Sequence, residues 1–296
     1  MSAPTATTMT LEWAGLRTTA TVAGEGPLVL LLHGFPDTRG TWRHQLPALA
    51  SAGFRVVAPS LRGYEPTSQP RDRDYGVATL AGDVLAWMDC LGAERARIVG
   101  HDWGAAIAWA LAARAPDRIE RIAALAVPPL QRAARMAAHA PSALLPLWYM
   151  AFFQLRGVSE AALLARDGAL VRWLWRRWSP GFDAGDPHIR DVIDALGRPG
   201  VATAALSYYR AFANLASPAS RATARLFAAQ TPVPALAIAG ARDGCLRADL
   251  LQRAVDLRDF PAGIRTLTLP DAGHFLHLEQ PAAINEILRD WLALSG

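Results

Sequence analysis

The segment Gly-His-Asp-Trp-Gly at positions 100–104 constrains the fold more than any other part of the chain. It follows an apolar run that ends at Val99 and precedes an Ala-rich stretch that begins at Ala105. This order predicts a strand, a sharp turn and a helix. Because glycines flank the central residue, the turn can be tighter than ordinary side chains allow. We therefore expect Asp102 to stand on a strained turn above the edge of a sheet, in the position of a nucleophile.

An aspartate in that position suits a particular class of reaction. Its carboxylate can attack a saturated carbon that bears a leaving group, and the resulting alkyl ester can itself be hydrolysed. A serine that attacked the same carbon would form an ether, from which the enzyme could not be regenerated. Asp102 therefore favours opening of an epoxide or displacement of a halide over hydrolysis of an ester or amide.

Length and composition exclude several other classes of protein. With 296 residues, 52% of them hydrophobic, the chain can bury a full core and is not typical of disordered proteins. Its basic residues are all Arg and lie scattered among 26 acidic residues, which argues against a nucleic-acid partner. Two cysteines favour a reducing compartment. We expect a cytoplasmic protein with no secretory signal and no membrane span.

Apolar runs alternate with helix-like stretches, a pattern typical of a mostly parallel sheet with helices on both faces. After an N-terminal hairpin at 10–23, strands are predicted at 28–32, 54–59, 96–99, 119–127, 233–239 and 264–269. The interval 130–230 is rich in Ala, Leu, Trp and Arg and shows helical spacing without a strand pattern. We expect a helical cap there, inserted between two parts of one core, 1–129 and 231–296, and lying over the carboxyl edge of the sheet.

The partners of such a nucleophile are expected later in the chain, with the acid before the histidine. His274 comes just after the last predicted strand, and the glycine before it favours it over His277. Asp243 follows the preceding strand and could accept a hydrogen bond from the His274 ring, although a plain turn residue is the alternative. The end of the strand before the cap offers no competing acid, because 123–131 contains neither Asp nor Glu.

Two backbone amides are expected to bind the oxyanion that forms when an Asp102 ester is hydrolysed. One belongs to Trp103, directly after the nucleophile. The other is most readily that of Phe35, in the His-Gly-Phe-Pro loop at 33–36 after a predicted strand. No cofactor is expected. No metal is expected either, since no group of His, Cys and acidic residues has the spacing of a ligand set.

Taken together, these motifs resemble the epoxide hydrolases of the α/β-hydrolase superfamily, and secondarily the dehalogenases built on the same plan. The resemblance spans nearly the whole chain, including Leu-Arg-Gly-Tyr at 61–64 and Glu-Gln-Pro at 279–281. It implies the α/β-hydrolase fold and two cap tyrosines that donate hydrogen bonds to the epoxide oxygen. Tyr149 and Tyr209 stand at the matching positions, although ordinary packing within cap helices is the alternative for both.

The resemblance also implies a reaction in two covalent steps. Asp102 attacks the epoxide while Tyr149 and Tyr209 stabilise the departing oxygen. His274, oriented by Asp243, then activates a water that hydrolyses the ester and releases a vicinal diol. The expected partner is a small apolar epoxide, and a homodimer is compatible with the sequence. Two alternatives remain open: a haloalkane or haloacid dehalogenase with the same three residues, and a non-catalytic ligand-binding protein.

The dehalogenase alternative depends on three positions. Trp103 fits both groups, because a tryptophan after the nucleophile binds halide in haloalkane dehalogenases and also occurs in epoxide hydrolases. Those dehalogenases often carry a polar residue where this chain has Phe35. Haloacetate-type enzymes share the His-Gly-Phe-Pro loop but usually replace the first cap tyrosine, which is present here as Tyr149. The epoxide is therefore the favoured substrate.

Overall fold

The computed structural model describes residues 5–132, 146–214 and 216–294. Within these ranges eight strands form a single sheet: β1 (Thr7–Trp13), β2 (Leu16–Ala23), β3 (Leu28–Leu32), β4 (Arg55–Pro59), β5 (Ala96–His101), β6 (Ile119–Leu125), β7 (Ala235–Gly240) and β8 (Ile264–Leu269). Their order is β1-β2-β4-β3-β5-β6-β7-β8. The strand β2 runs antiparallel to both of its neighbours, whereas β4, β3, β5, β6, β7 and β8 run parallel. The predicted hairpin and mostly parallel sheet are confirmed.

Helices cover the sheet. In the described ranges they are α1 (Gln45–Ser51), α2 (Val77–Cys90), α3 (Trp103–Arg114), α4 (Trp148–Phe152), α5 (Val158–Trp178), α6 (Pro187–Leu196), α7 (Val201–Ala213), α8 (Pro218–Ala228), α9 (Asp249–Ala254), α10 (Leu276–Glu279) and α11 (Pro281–Ala293). A turn at Ala165–Gly168 interrupts α5. None of these helices is both long enough and apolar enough to cross a bilayer.

Burial explains why the central strands were easy to predict. Every residue of β3 and of β7 is buried, so each appears in the sequence as a continuous apolar run. Several strand ends differ from the prediction by one to three residues, and two of these shifts have a clear cause. The strand β6 ends at Leu125, because Ala126 has a φ of +67° and leaves the extended conformation. The strand β7 begins only after Pro234, which has no N–H to donate to a neighbouring strand.

The helices from α4 to α8 lie between β6 and β7 in the chain and pack over the carboxyl edge of the sheet. Three side-chain hydrogen bonds tie them to the loops there. Trp175 Nε1 donates to the Pro36 carbonyl at 3.0 Å, and the Tyr208 hydroxyl donates to the Arg62 carbonyl at 2.7 Å. Nε2 of His188 lies 2.6 Å from Oδ1 of the buried Asp37. This part of the chain is therefore anchored directly above the loop that carries Phe35.

The division into a core and a cap at 130–230 stays a prediction. In the described part of that interval every regular element is a helix, in agreement with the expected absence of strand patterns. Residues 133–145 of the predicted cap lie outside the described residues.

Candidate active site

Asp102 lies between β5 and α3 with a φ of +51° and a ψ of −117°, the strained turn that the sequence predicts. Two close approaches explain why glycines surround it. A Cβ on Gly104 would lie 2.0 Å from the carbonyl oxygen of Leu32, in the adjacent strand β3. A Cβ on Gly34 would lie 2.4 Å from Cβ of Asp102 itself. The loop after β3 thus packs against the nucleophile with no room for a side chain.

The Asp102 carboxylate is held on both sides. Its Oδ1 accepts a hydrogen bond of 2.8 Å from the backbone N–H of Phe35, one of the two amides predicted from the sequence. Its Oδ2 lies 3.5 Å from Nε2 of His274. The other predicted amide, that of Trp103, belongs to the first residue of α3, directly after the nucleophile. The carboxylate therefore has one oxygen toward a backbone donor and one toward the His274 ring.

His274 and Asp243 come together as the sequence predicts. Nδ1 of His274 lies 2.9 Å from Oδ2 of Asp243, and both side chains are buried. The other Asp243 oxygen accepts hydrogen bonds from the backbone N–H groups of Cys245, at 2.7 Å, and Leu246, at 2.9 Å. The carboxylate is thereby aimed at the imidazole. His277 lies elsewhere, with Nε2 2.6 Å from the Thr41 hydroxyl.

The two carboxylates make His274 unusually basic. Burial by itself would lower its pKa, but the charge of Asp243 and the hydrogen bonds and charge of Asp102 raise it to about 10. His101, whose ring centroid lies 4.9 Å from that of His274, behaves in the opposite way. Burial and the nearby His274 charge lower the pKa of His101 to about 4. His274 is therefore an imidazolium at neutral pH, and His101 behind it is neutral.

Tyr149 and Tyr209 pack edge to face, with ring centroids 5.7 Å apart. Both are almost fully buried, and burial raises the pKa of each phenol well above its ordinary value, so both remain protonated donors. The Tyr149 hydroxyl lies 3.2 Å from Sγ of Cys245. The Tyr209 hydroxyl has no hydrogen-bond partner among the residues that the structure describes. Tyr208, next in the chain, directs its hydroxyl to Arg62 instead.

Aromatic rings form the walls around these polar groups. Tyr209 packs edge-on against Phe35 and Trp103, at centroid distances of 5.3 and 5.0 Å. Trp178 lies between Tyr149, at 5.0 Å, and His274, at 5.2 Å. Its carbonyl oxygen also accepts the backbone N–H of His274 at 3.0 Å. An apolar wall of this kind excludes water and suits an apolar substrate.

Cys245 and Trp178 are the members of the site that the sequence did not predict. Cys245 lies two residues after Asp243 in a turn that, in the sequence, shows only its Asp-Gly pair. Trp178 is one of four tryptophans in the described part of the predicted cap, and nothing in the helical spacing distinguishes it from Trp148 or Trp173.

The fold also brings together two groups of possible metal-ligating side chains that could not be predicted from their spacing along the chain. Asp243, Cys245 and His274 each offer a possible ligand atom, and these atoms lie within 4.8 Å of one another. The same holds for Asp37, His101 and His277, all of them buried. The first group is the site just described, in which hydrogen bonds already join Asp243 to His274. The second lies directly behind it, where Nε2 of His101 donates to the His274 carbonyl at 2.9 Å.

Comparison with known proteins identifies the family of the chain. The family model for the alpha/beta hydrolase fold matches residues 27–281. Epoxide hydrolase A of Mycobacterium tuberculosis is 33% identical over an alignment of 325 residues that covers 99% of this chain and 98% of that protein. Epoxide hydrolase 3 of Siraitia grosvenorii is 32% identical, with 96% and 97% covered.

A solved structure extends this likeness to three dimensions. The crystal structure of Epoxide Hydrolase A from Mycobacterium thermoresistibile aligns with a TM-score of 0.80 and 32% identity, over 97% of this chain and 98% of that one. The resemblance found in the sequence is thus confirmed along the length of the chain. The chain belongs to the α/β-hydrolase fold family and, within it, to the epoxide hydrolases.

Proposed function

We propose that this protein hydrolyses small apolar epoxides to vicinal diols through a covalent ester on Asp102. One observation carries the proposal: the Asp102 carboxylate lies 3.5 Å from His274 and close enough to two buried phenols, which pack against each other, for its charge to raise the pKa of both. A nucleophile and a base alone would be compatible with substrates that carry several kinds of leaving group. The phenols favour the epoxide, because its oxygen leaves only when it is hydrogen-bonded or protonated.

In the first step, Oδ2 of Asp102 forms a bond to one epoxide carbon. The electron pair of the breaking C–O bond goes to the ring oxygen, which takes a proton from the phenol of Tyr149 or Tyr209. Oδ1 becomes the carbonyl oxygen of the ester and keeps its hydrogen bond from the Phe35 amide. The result is a neutral hydroxyalkyl ester and a tyrosinate.

The charge change on Asp102 then switches the role of His274. While Asp102 is ionised, the carboxylates of Asp102 and Asp243 raise the pKa of His274 more than burial lowers it, and this pKa is about 10. Esterification removes the negative charge of Asp102, so the pKa of His274 falls. The imidazolium can now give up its proton, which by way of water restores the phenol. His274 ends this step neutral and able to act as a base.

In the second step, neutral His274 takes a proton from water, and the hydroxide adds to the ester carbonyl of Asp102. The Phe35 amide stabilises the oxyanion, and the Trp103 amide is expected to be the second donor. When the intermediate collapses, the departing diol oxygen takes the proton of the newly added hydroxyl group. The resting state, with an Asp102 carboxylate and a His274 imidazolium, is restored.

A dehalogenase with the same residues is the second candidate, and one observation favours it. Nε1 of Trp103 is buried and makes no well-formed hydrogen bond in the described part of the chain, although it lies close enough to the Tyr209 hydroxyl to lower the pKa of that phenol, and an N–H in this state could bind a halide. Tyr149 and Tyr209 weigh against this function, because a halide departs without a proton and gains little from two phenols. The epoxide is therefore the better supported substrate.

A panel assay separates these functions. We expect purified protein to convert styrene oxide and short alkyl epoxides to diols at least about a hundredfold faster than it releases halide from haloalkanes or haloacetates, the effect of two hydrogen bonds to a developing charge. Halide release without diol formation would support the dehalogenase. Turnover of neither class would support a ligand-binding protein instead.

A single turnover in ¹⁸O-labelled water, with enzyme in excess over epoxide, tests the covalent route. If Asp102 is the nucleophile, the diol takes its new oxygen from the carboxylate and is mostly unlabelled. The label enters the peptide that contains Asp102 and reaches the diol only in later turnovers. A labelled diol on the first turnover, with an unlabelled peptide, would show direct attack by water and overturn the ester mechanism.

A further inference from the structure

Cys245 is a buried thiol at the centre of the site to which neither the motifs nor the two-step reaction gives a role. Its side chain is 1% exposed, and Sγ lies 3.2 Å from the Tyr149 hydroxyl, within the range of a hydrogen bond to sulfur. Its ligand atom is within 4.8 Å of those of Asp243 and His274. The Tyr209 hydroxyl, by comparison, makes no well-formed hydrogen bond, to a sulfur or to any other atom, in the ranges described, and the donor that acts on it is the Trp103 side chain. The two phenols are therefore not equivalent.

The position of Cys245 is fixed by its own backbone. Its N–H donates to Oδ1 of Asp243 at 2.7 Å, and the N–H of the preceding Gly244 donates to the Trp178 carbonyl at 3.1 Å. The turn that aims the carboxylate at His274 thus also places the thiol against the cap tyrosine. Because these bonds use the backbone, replacing the Cys245 side chain leaves the aim of Asp243 in place.

Either atom could be the donor in the contact between Cys245 and Tyr149, because both groups keep their hydrogens. Burial, together with the negative charges of Asp243 and Asp102, raises the pKa of the Cys245 thiol well above its ordinary value, and burial does the same to the Tyr149 phenol. A thiol sulfur is a weak acceptor, whereas a phenol oxygen is a good one, which favours Cys245 as the donor.

We propose that Cys245 is a positioning residue that donates its S–H to the Tyr149 oxygen, so that the phenolic hydrogen of Tyr149 points to the epoxide oxygen and Tyr149 becomes the main proton donor. The inference rests on the proposed function. As the epoxide opens, Tyr149 gives up its proton and its oxygen becomes negative. The S–H bond to that oxygen then strengthens, so it stabilises the transition state more than the ground state.

A double-mutant cycle tests the role in catalysis. We expect Cys245→Ala to slow the single-turnover alkylation of Asp102 by about three- to tenfold, as for loss of one modest hydrogen bond. Cys245→Ser retains a donor of similar size and should stay within about twofold of the unmodified enzyme. In a Tyr149→Phe background, Cys245→Ala should have no further effect on alkylation, because its acceptor is gone. Hydrolysis of the ester should be unchanged throughout.

Three outcomes would overturn the proposal. An equal loss from Cys245→Ala with and without the Tyr149 hydroxyl would mean that the thiol acts only by packing. A Cys245→Ser enzyme as slow as Cys245→Ala would exclude a donor role. Faster alkylation in Cys245→Ala would mean that Tyr149 donates to sulfur in the free enzyme and that the thiol competes with the substrate.

Infrared spectroscopy tests the hydrogen bond without any turnover, and so separates this proposal from the proposed function. Replacing the exposed Cys90 by Ser leaves Cys245 as the only thiol of the chain. Its S–H stretching band should lie at low frequency, as for a donating thiol, and shift upward in Tyr149→Phe. A band insensitive to that substitution would exclude the bond, even in an active enzyme. An enzyme that opens no epoxide, but shows the shift, would overturn the proposed function alone.

Discussion

The predicted core and the predicted cap position their site residues by different kinds of contact. On the core side, Asp102, His274 and Asp243 bind one another and nearby backbone groups at 2.7–3.5 Å. On the cap side, Tyr149 and Tyr209 are placed by edge-on and tilted ring contacts of 5.0–5.7 Å. One cap hydroxyl contacts a sulfur, and the other has no partner among the described residues.

This difference follows from the charge of the groups. A buried ionised group without partners is very unstable, so the core must surround its carboxylates and imidazolium with fixed donors and acceptors. A neutral phenol tolerates burial with fewer partners and can leave its hydrogen for the substrate. We infer that the core supplies nucleophile and base for any leaving group, whereas the cap determines which leaving group is accepted.

Removing the nucleophile should have the largest effect and should not depend on the leaving group. Asp102→Ala keeps the Cβ that packs against Gly34 and should leave the fold intact. We expect at least a 10³-fold loss of turnover, on the order of that for loss of other covalent nucleophiles, with epoxides and with any halide substrate. Product formation and circular dichroism would check this. Retention of more than a few per cent of activity in a folded variant would overturn the assignment.

Replacing His274, the proposed base, should separate ester formation from ester hydrolysis. His274→Gln should still open the epoxide, because Asp102 and the phenols remain, but it cannot activate water. Intact mass spectrometry should then show an adduct with the mass of the substrate, and turnover should fall by about 10³-fold, a typical upper range for loss of a general base. If a confirmed substrate leaves no adduct, either His274 is not the base or the reaction does not pass through an ester.

Much of the core side could be predicted from the sequence, because the position of a residue relative to the predicted strands determines where that residue lies in the fold. The ends of parallel strands meet at one edge of a sheet, so a residue just after a strand is placed without knowledge of packing. Asp102, Asp243 and His274 all stand there, after β5, β7 and β8. The spacing of apolar runs likewise predicted the sheet, although several strand ends, among them those near Ala126 and Pro234, differed by one to three residues.

The rest depends on contacts that no local pattern records. Cys245 meets Tyr149 across 96 positions of the chain, where the turn after β7 packs against α4. Asp37 in the loop after β3, His101 at the end of β5 and His277 in α10 converge, although only His101 lies in a motif with an evident role. The tyrosines themselves were identified by resemblance, because a phenol at a helical spacing is equally compatible with core packing. Side-chain packing between distant elements is the information that the sequence pattern lacks.

Changing the cap side should produce smaller effects that depend on the leaving group. Tyr149→Phe and Tyr209→Phe should each slow epoxide opening by about ten- to a hundredfold, as for loss of a hydrogen bond to a developing charge. The double variant should lose more than either single one. Halide release, where it can be measured, should change by less than about threefold, because no proton is needed. Pre-steady-state alkylation rates with paired epoxide and halide substrates would provide the comparison.

Tyr208→Phe is a matched control, because it removes a buried hydroxyl from the same helix. That hydroxyl donates to the Arg62 carbonyl and not into the site, so its loss should affect stability and leave alkylation nearly unchanged. If the Tyr149 and Tyr209 variants slowed epoxide and halide substrates equally, both residues would have to be interpreted as ordinary packing residues. That result would also remove the distinction between core and cap.

The smallest expected effect concerns stability, and it separates two kinds of buried histidine. Burial lowers the pKa of His33 and of His101 to about 4 and lowers that of His277 strongly. Their contribution to stability is lost as pH falls through 6.5, where only the unfolded chain takes up protons. The pKa of His274 is raised to about 10, so its contribution is full below 6.5 and is lost as pH rises toward 10.

The free energy of unfolding should therefore pass through a maximum near neutral pH and fall by roughly 1 kcal/mol per pH unit between pH 7.5 and 8.5. The chain has no lysine to obscure this range, and a Cys245→Ser background removes a thiol that would add to the slope at its upper end. In that background, His274→Gln should abolish the decline above neutrality and leave the decline at low pH. Urea unfolding measured at half-unit intervals of pH would resolve both. If the high-pH decline persists without His274, the imidazolium is not the resting state, and the proton that restores the tyrosinate to a phenol must come from elsewhere.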